Sequence, residues 1–169
     1  MIEIHVPGLK PYEITHVVVD YNGTIAVDGK IPMDLKPLLI KLKQLVPITV
    51  LTADTHGTAK AQCEPLGLTV RTFPQENAAA CKKEIVEELG ADNVACLGNG
   101  FNDIPMFKTA RLSIGVLDVE GMCGALLPHA TILCRSAEEA VQLLLNPKRV
   151  IADLRTKLVT FFPFCRFYW

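Results

Sequence analysis

The sequence lacks the features that mark membrane, secreted and zinc-binding proteins. No stretch approaches the roughly 18 consecutive apolar residues that are needed to span a bilayer, and the opening MIEIHVPGLK has neither the cationic start nor the apolar run of a signal peptide. The six cysteines include no Cys-x-x-Cys pair, which argues against a disulfide framework and a zinc site. We therefore expect a cytoplasmic protein with reduced thiols and no membrane span.

An excess of charge of one sign is also missing. The chain has 17 Lys and Arg against 18 Asp and Glu, so its net charge is −1, which argues against a nucleic-acid partner. Hydrophobic residues make up 50% and charged residues 21%, which is the composition of a globular protein. From the length of 169 residues we expect one domain over residues 1–169, with a C-terminal aromatic tail at 159–169.

Apolar β-branched runs alternate with amphipathic segments from His16 onward, which is typical of a parallel sheet flanked by helices. The predicted strands are 16–20, 49–53, 68–73, 93–98, 112–116 and 130–134. The predicted helices are 33–45, 58–66, 75–89, 102–109, 120–126, 137–145 and 148–159. We expect an α/β fold with three Rossmann-like layers, a mostly parallel central sheet, and an antiparallel hairpin of residues 2–5 and 12–15 at the sheet edge.

The motif VVVDYNGT places a carboxylate, Asp20, at the end of the first long buried strand. Gly23 then permits a sharp turn of the backbone. Ligand sites in open α/β sheets form at the carboxyl ends of the strands, so Asp20 is a candidate functional residue. Taken alone, the same aspartate could simply cap a turn.

Two further segments bring polar groups to the same edge. The strand ITVLTAD ends with a hydroxyl donor, Thr52, although a threonine there could only form a turn. Lys82 lies in a predicted helix with apolar residues three, four and seven positions later, which puts it on the sheet-facing side. Lys83 points about 100° away and is expected in solvent. A lone lysine is more often a surface residue whose charged end reaches water.

A fourth segment, NVACLG followed by GNGFND, ends a strand in a glycine-rich loop. Asn99 and Asp103 in this loop can present oxygens to a hard cation such as Mg²⁺. Alone, the loop could be only a helix N-cap at Asn102 or Asp103. The order of these groups along the chain (Asp, Thr, Lys, then Asn and Asp) is what points to a common site.

With these four motifs the chain resembles the haloacid dehalogenase (HAD) superfamily, and within it the capless soluble P-type ATPase-like group. The resemblance implies a HAD-like fold and an aspartyl-phosphate intermediate on Asp20. It implies that Thr52 hydrogen-bonds the phosphoryl group and that Lys82 neutralises the charge shared by nucleophile and phosphate. An anion that attacks an anion needs such a cation in any case.

The resemblance also implies Mg²⁺ bound by Asp20, Asn99, Asp103 and the backbone carbonyl of residue 22, which is Asn22. The sequence departs from the family pattern at two of these positions. Phosphatases of the superfamily carry Asp where this chain has Asn22, and an amide cannot do acid-base work that is typically worth ~10²–10⁴-fold. Asn99 stands where an Asp usually binds the metal, which predicts weaker metal binding.

The resemblance thus implies a Mg²⁺-dependent phosphohydrolase or phosphotransferase, slow because of Asn22, that acts on a small phosphorylated substrate or a phosphorylated macromolecule. A catalytically degenerate module that binds phosphate and metal is the alternative. Hydrolytic dehalogenation, which needs no metal, is a third possibility that the GNGFND loop argues against. The spacing of the motifs leaves no room for a cap domain, residues 24–31 read as a small β-flap, and an open site makes a homo-oligomer plausible.

Two features stay open at this point. His56 follows Thr52 closely and either lines the pocket or sits in a turn on its rim. The tail LVTFFPFCRFYW carries six aromatic residues, for which packing over the sheet edge or against a second subunit is favoured over contact with a membrane surface.

Overall fold

The computed structural model describes residues 1–54 and 58–155. Its strands are β1 (Ile2–Ile4), β2 (Tyr12–Ile14), β3 (His16–Asp20), β4 (Ile48–Thr52), β5 (Thr69–Thr72), β6 (Val94–Gly98), β7 (Leu112–Val116) and β8 (Ile132–Cys134). Its α-helices are α1 (Leu35–Leu45), α2 (Thr58–Cys63), α3 (Ala78–Glu88), α4 (Ile104–Thr109), α5 (Ala137–Leu145) and α6 (Pro147–Leu154). The alternation of strands and helices confirms the predicted α/β class.

The central sheet has six parallel strands in the order β5-β4-β3-β6-β7-β8. Strand β3 lies in the middle, with Asp20 paired to Leu51 of β4 and Val19 paired to Leu97 of β6. Because all strands run the same way, the ends of β3, β4 and β6 meet at one edge of the sheet. This register brings Asp20 beside Thr52 and the GNGFND loop, as the sequence predicted.

Two apolar layers cover the sheet and account for its nearly continuous hydrophobic strands. Val17 and Val19 belong to the cluster that includes the buried residues of α1 and α5, whereas Val18 belongs to the cluster that includes α3 and α4. The inner strands β4, β6 and β7 are buried along their whole length, but the edge strand β5 is not. The predicted three layers are confirmed, and α3 is the helix that carries lysine toward the sheet.

The N-terminal hairpin is confirmed, but it forms a two-stranded sheet of its own rather than extending the edge of the large one. The chain passes directly from β2 into β3, whose two sides are already occupied by β4 and β6. The hairpin therefore cannot add to the sheet at this point. Its apolar residues Ile2, Ile4, Tyr12 and Ile14 are instead buried in the cluster on the α1 and α5 side.

Most predicted helices and strands are found within a few residues of their expected bounds, but the predicted helix at 120–126 is wrong. Gly121 adopts a left-handed φ of 79°, and a 3₁₀ segment follows only at Gly124–His129. The Cys123 amide bonds the carbonyl of Asn99 instead of a preceding turn of helix. Among the helices of the described ranges, none is long and apolar enough to cross a membrane.

Some predictions fall outside the described residues. Of the helix predicted at 148–159, residues 148–154 lie in α6, Arg155 is its extended C-cap, and residues 156–159 lie outside the described ranges. His56 and the aromatic tail at 159–169 lie in the segments that the structure does not describe. The predictions made for them stay predictions.

The predicted flap at residues 24–31 is a tight turn closed by a single antiparallel bridge between Val27 and Lys30. Asp28 and Gly29 at its tip both have positive φ, 49° and 72°, which is the geometry of a two-residue hairpin turn. Gln62 of α2 holds this turn with both ends of its amide. Its Nε2 donates to the Gly29 carbonyl at 2.7 Å, and its Oε1 accepts from the Ile31 amide at 2.9 Å.

We predict that Gln62→Ala loosens the flap and lowers the free energy of unfolding by about 1–3 kcal/mol, because it leaves the Ile31 amide without its hydrogen-bond partner. Urea unfolding of the variant measures this change. Gln44→Ala, at an exposed position of α1, is the matched control and should change stability by less than about 0.5 kcal/mol. Equal stabilities of the two variants would contradict the assigned role of Gln62.

Candidate active site

A cavity of about 330 Å³ opens at the carboxyl edge of the sheet, where β3, β4 and β6 end. It is lined by five of the six residues that the sequence singled out, namely Asp20, Asn22, Thr52, Lys82 and Asn99. The sixth, Asp103, is completely buried and contacts Lys82. We call this space the site cavity, and the structure brings all six residues to it or directly behind it.

Lys82 provides the only ammonium group found at the site cavity in the described part of the chain. It is 1% exposed, whereas the side chain of its neighbour Lys83 is 48% exposed and pairs with Glu87 on the surface. The predicted difference between the two lysines is therefore confirmed. Helix α3 packs on the sheet through Ile85 and Val86, and this contact aims Lys82 at the end of β3.

The Lys82 ammonium has three oxygen partners. Its Nζ donates to Asp20 Oδ1 at 2.6 Å, to Asp103 Oδ1 at 2.6 Å and to Asn102 Oδ1 at 3.0 Å. An ammonium group has three hydrogens, so this environment satisfies it fully. Burial alone would lower the pKa of Lys82, but the charges of Asp20 and Asp103 outweigh burial and raise the pKa above its ordinary value. Lys82 therefore stays charged.

Asp103 is committed to contacts through both carboxylate oxygens. Oδ1 bonds Lys82, and Oδ2 accepts the backbone amides of Asn99 at 3.0 Å and Gly100 at 2.8 Å. Gly98 permits this fold of the loop, because a Cβ there would lie 2.5 Å from Asp103 Oδ2. Asp103 thus holds the GNGFND loop against the lysine, and both of its oxygens accept hydrogen bonds within the protein.

Thr24 connects the nucleophile candidate to the loop. Its buried hydroxyl lies 3.4 Å from Asp20 Oδ2 and 3.1 Å from Asn99 Oδ1. Asn99 also donates from Nδ2 to the Gly121 carbonyl at 3.1 Å. Gly23 has a φ of 74°, and any Cβ at that position would collide with the Asn99 amide. The side of Asp20 away from Lys82 therefore faces a second oxygen, Asn99 Oδ1.

Asn22 and Thr52 both line the site cavity, but they differ in exposure and in hydrogen bonding. Asn22 is exposed, and among the described residues its side chain makes no hydrogen bond. It also lines an adjoining cavity of about 380 Å³ that lies beside the flap. Thr52 is buried, and its hydroxyl oxygen accepts the backbone amide of Asp54 at 3.0 Å. That bond leaves the Thr52 hydroxyl hydrogen available to a ligand in the cavity.

When Asp20 is ionised, the site carries one more negative charge than positive charge. Asp20 and Asp103 share a single ammonium, and the side chain of Asp20 is only 13% exposed. Burial and the charge of Asp103 raise the pKa of Asp20 to about 7, against the opposing effects of Lys82 and the Thr24 hydroxyl. A buried anion without a full complement of cations is costly, and a bound cation would relieve this cost.

The donor atoms fit a hard cation such as Mg²⁺, which prefers carboxylate, amide and carbonyl oxygens and keeps several waters. Asp20 Oδ2 and Asn99 Oδ1 both lie within reach of the same Thr24 hydroxyl, so the two oxygens face one small space. No group of three or more His, Cys, Asp and Glu side chains suited to a metal occurs in residues 1–54 and 58–155. The fit therefore depends on amide and backbone oxygens together with the excess negative charge.

Sequence reasoning missed two members of the site and noticed one only as a cap. Thr24 gave a weak signal as a hydroxyl four residues after Asp20, just past the glycine turn. Asn102 was considered only as an N-cap, yet it is the third partner of Lys82. The Gly121 carbonyl gave no signal, because a backbone acceptor is invisible in the sequence and its segment was predicted as helix.

We predict that Asp20→Asn stabilises the metal-free protein, because it leaves Lys82 and Asp103 as a balanced pair. At pH 8 the free energy of unfolding should rise by about 1–3 kcal/mol, which raises Tm by roughly 2–4 °C per kcal/mol. The gain should shrink as the pH falls through about 7, because wild-type Asp20 is then protonated in the folded state.

Thermal unfolding in excess chelator between pH 5 and 8.5 measures this difference. Asp153→Asn, an exposed substitution on α6, is the control for loss of one surface charge. If Asp20→Asn is less stable than the wild type across this pH range, the charge imbalance described for the site is wrong.

Comparison with known proteins agrees with the fold and the motifs. Residues 2–111 match the family model of haloacid dehalogenase-like hydrolases. An uncharacterized protein of Methanocaldococcus jannaschii, MJ0073, is 35% identical over 78 residues, which cover 44% of this chain and 84% of that protein. A second uncharacterized protein of the same organism, MJ0072, is 49% identical over 39 residues, which cover 23% of this chain and 89% of that protein.

Solved structures share the fold at low sequence identity. The 3-deoxy-D-manno-octulosonate 8-phosphate phosphatase of Moraxella catarrhalis, solved with magnesium, phosphate and KDO, superposes with a TM-score of 0.68 at 15% identity, over 83% of this chain and 90% of that one. The cobalt-bound phosphatase of Haemophilus influenzae gives a TM-score of 0.64 at 14% identity, over 85% and 94%. These similarities establish the architecture around the site.

Proposed function

The chain belongs to the haloacid dehalogenase-like hydrolases, and from that premise we propose that it is a Mg²⁺-dependent phosphohydrolase or phosphotransferase that works through an aspartyl phosphate on Asp20. The observation that carries the proposal is the buried contact of 2.6 Å between Asp20 Oδ1 and Lys82 Nζ at the floor of the site cavity. This contact keeps a carboxylate beside a permanent cation at the carboxyl end of the central strand.

In the proposed first step a carboxylate oxygen of Asp20 attacks the phosphorus of the substrate. The new bond joins this oxygen to phosphorus, and the bond from phosphorus to the leaving-group oxygen breaks, so that its electron pair departs with the leaving group. Lys82 balances the negative charge shared in the transition state. The free hydroxyl hydrogen of Thr52 is suited to donate to an oxygen of the transferred group.

A bound Mg²⁺ would supply further charge neutralisation and would orient the phosphate. We propose Asp20, the backbone carbonyl of Asn22 and the side-chain oxygen of Asn99 as its protein ligands. Asp103 was also predicted as a ligand. Because both of its oxygens are engaged with Lys82 and the loop amides, its proposed role is to hold those groups in place.

The second step, hydrolysis of the aspartyl phosphate, is where this chain departs from an efficient phosphatase. Asn22 lines both cavities, at the place where a leaving group would be protonated. Its amide neither gives nor takes a proton. The proposed enzyme therefore captures a phosphoryl group only from leaving groups that need no proton, and it releases phosphate slowly.

The substrate is proposed to be small. The Moraxella catarrhalis structure holds phosphate and an eight-carbon sugar acid, and here the site cavity and the adjoining cavity provide about 330 and 380 Å³. A phosphorylated macromolecule remains the alternative at an open site. The cytoplasmic location, the homo-oligomer and the grouping with soluble P-type ATPases stay predictions.

We predict that turnover of p-nitrophenyl phosphate or acetyl phosphate with Mg²⁺ is lost in Asp20→Asn and falls by roughly 10²–10³-fold in Lys82→Ala. Steady-state rates at pH 7 measure this, with Lys83→Ala as the matched control that should retain activity. Asp20→Asn is expected to be at least as stable as the wild type, so its inactivity would not reflect unfolding.

The degenerate phosphate-binding module is the second candidate, and the amides at Asn22 and Asn99 favour it. In that case the wild type shows no turnover above Asp20→Asn. Mg²⁺ with BeF₃⁻ still raises the Tm of the wild type, because the ligands bind the native state alone. Equal turnover by the wild type and Asp20→Asn thus contradicts the enzymatic proposal.

We also predict that Asn22→Asp raises the rate of hydrolysis, by up to about 10²–10⁴-fold if acid-base help alone is missing. Asn22 is exposed, so the substitution should leave stability nearly unchanged. Rapid-quench measurement of aspartyl-phosphate decay isolates this step. Decay that is no faster in the variant would show that the amide is not what limits release.

A further inference from the structure

The segment after β7 contains a tight turn that is closed on itself. In this turn, residues 118–121, the Gly121 amide bonds the Asp118 carbonyl at 2.8 Å, and Asp118 Oδ1 accepts the Val119 amide at 2.7 Å. Gly121 has a φ of 79°, which other residues rarely adopt. These internal bonds fix the shape of the 118–121 turn.

The inner end of this turn rests on Asn99. Asn99 Nδ2 donates to the Gly121 carbonyl, while Asn99 Oδ1 accepts from Thr24. The two bonds fix the orientation of the amide, since a flipped amide would place an oxygen against the Gly121 oxygen, which can only accept. The bond from the Cys123 amide to the Asn99 carbonyl at 2.7 Å anchors the following residues to the same position.

The outer end of the turn holds the flap. Glu120 Oε1 accepts the backbone amide of Asp28 at 2.8 Å, at the flap tip where Asp28 has a φ of 49°. Gln62 binds the same tip from the side of α2 through Gly29 and Ile31. The Tyr21 hydroxyl also donates to the Gly29 carbonyl, at 3.0 Å. Among these contacts of the described residues, the bond through Glu120 is the one that leads to Asn99.

We propose that Asn99 is a positioning residue. Through the 118–121 turn it connects the flap to the side of Asp20 that faces Thr24 and Asn99 Oδ1. One end of its amide faces Asp20 and Thr24, and the other end fixes the turn that holds Asp28. The amide is required for this connection because an aspartate cannot donate a hydrogen bond to the Gly121 carbonyl. The hydrogen bonds that connect Asn99 to the flap do not depend on catalysis. Their importance for the reaction rests on the proposed function.

Aspartate at position 99 would bind a cation better, but it would lose the hydrogen bond to the Gly121 carbonyl. Two oxygens would then face each other at the distance of 3.1 Å that now separates Nδ2 from the Gly121 carbonyl. Coordination through Oδ1, by contrast, would leave the bond from Nδ2 intact. Asparagine is the residue that provides both contacts.

The test is hydrogen exchange of the Asp28 amide, followed by NMR in the metal-free protein without substrate. Asn99→Ser removes the Nδ2 donor without adding charge, and its hydroxyl lies on a side chain that is too short to replace Nδ2. Asn99→Asp removes the donor and adds a charge, and Glu120→Ala removes the acceptor. Glu120→Gln keeps an acceptor oxygen and serves as the conservative variant. Amides of the buried strand β4 report any global loss of stability.

We expect Asp28 exchange to be about fivefold faster in Glu120→Ala, and about two- to fivefold faster in both Asn99 variants, as loss of a single hydrogen bond implies. Glu120→Gln should match the wild type. The double variant Asn99→Ser with Glu120→Ala should exchange no faster than Glu120→Ala alone, since both act along one connection.

Additive effects in the double variant, or unchanged Asp28 exchange in Asn99→Ser, would overturn the proposal. So would acceleration that appears equally in β4, because it would reflect general destabilisation. The result does not depend on turnover. The variants of an inactive protein can still show faster Asp28 exchange, and those of an active protein can show unchanged exchange.

Discussion

The structure depends on one interaction, the burial of the Lys82 ammonium between three oxygens. Its partners come from two separate parts of the chain: Asp20 ends the central strand, and Asn102 and Asp103 belong to the loop after β6. Helix α3 brings the lysine from the other layer. Removal of the ammonium would leave two buried carboxylates unpaired, which costs several kcal/mol in comparable sites. The same contact therefore joins the sheet, the helix and the loop.

The charges in this interaction are not balanced. Two carboxylates share one ammonium, and the raised pKa of Asp20 follows from burial and from Asp103. A protein selected for stability alone would have balanced these charges with an amide at position 20. The remaining negative charge faces the site cavity, where Thr24 and Asn99 add oxygens rather than positive charge. A bound cation would lower the cost of this buried charge.

The sequence could predict what local periodicity and strand ends determine. The inward face of Lys82 follows from its apolar neighbours at helical spacing, and the meeting of Asp20 with Thr52 follows from parallel strands that end at one edge. It could not predict the partners that only tertiary contact creates. The helix predicted at 120–126 overlaps the end of the 118–121 turn, but the Gly121 conformation and the contact with Asn99 override the local helical pattern.

The two asparagines that replace the usual aspartates have different physical meanings. Asn22 is exposed and makes no side-chain hydrogen bond among the described residues, so nothing in its surroundings requires an amide. Asn99 packs against Gly23 and uses both ends of its amide. A change at position 22 should therefore have little effect on structure, and in the proposed function it acts on the chemistry. A change at position 99 would first disturb the loops that contact its amide. The two asparagines are therefore not equivalent signs of lost activity.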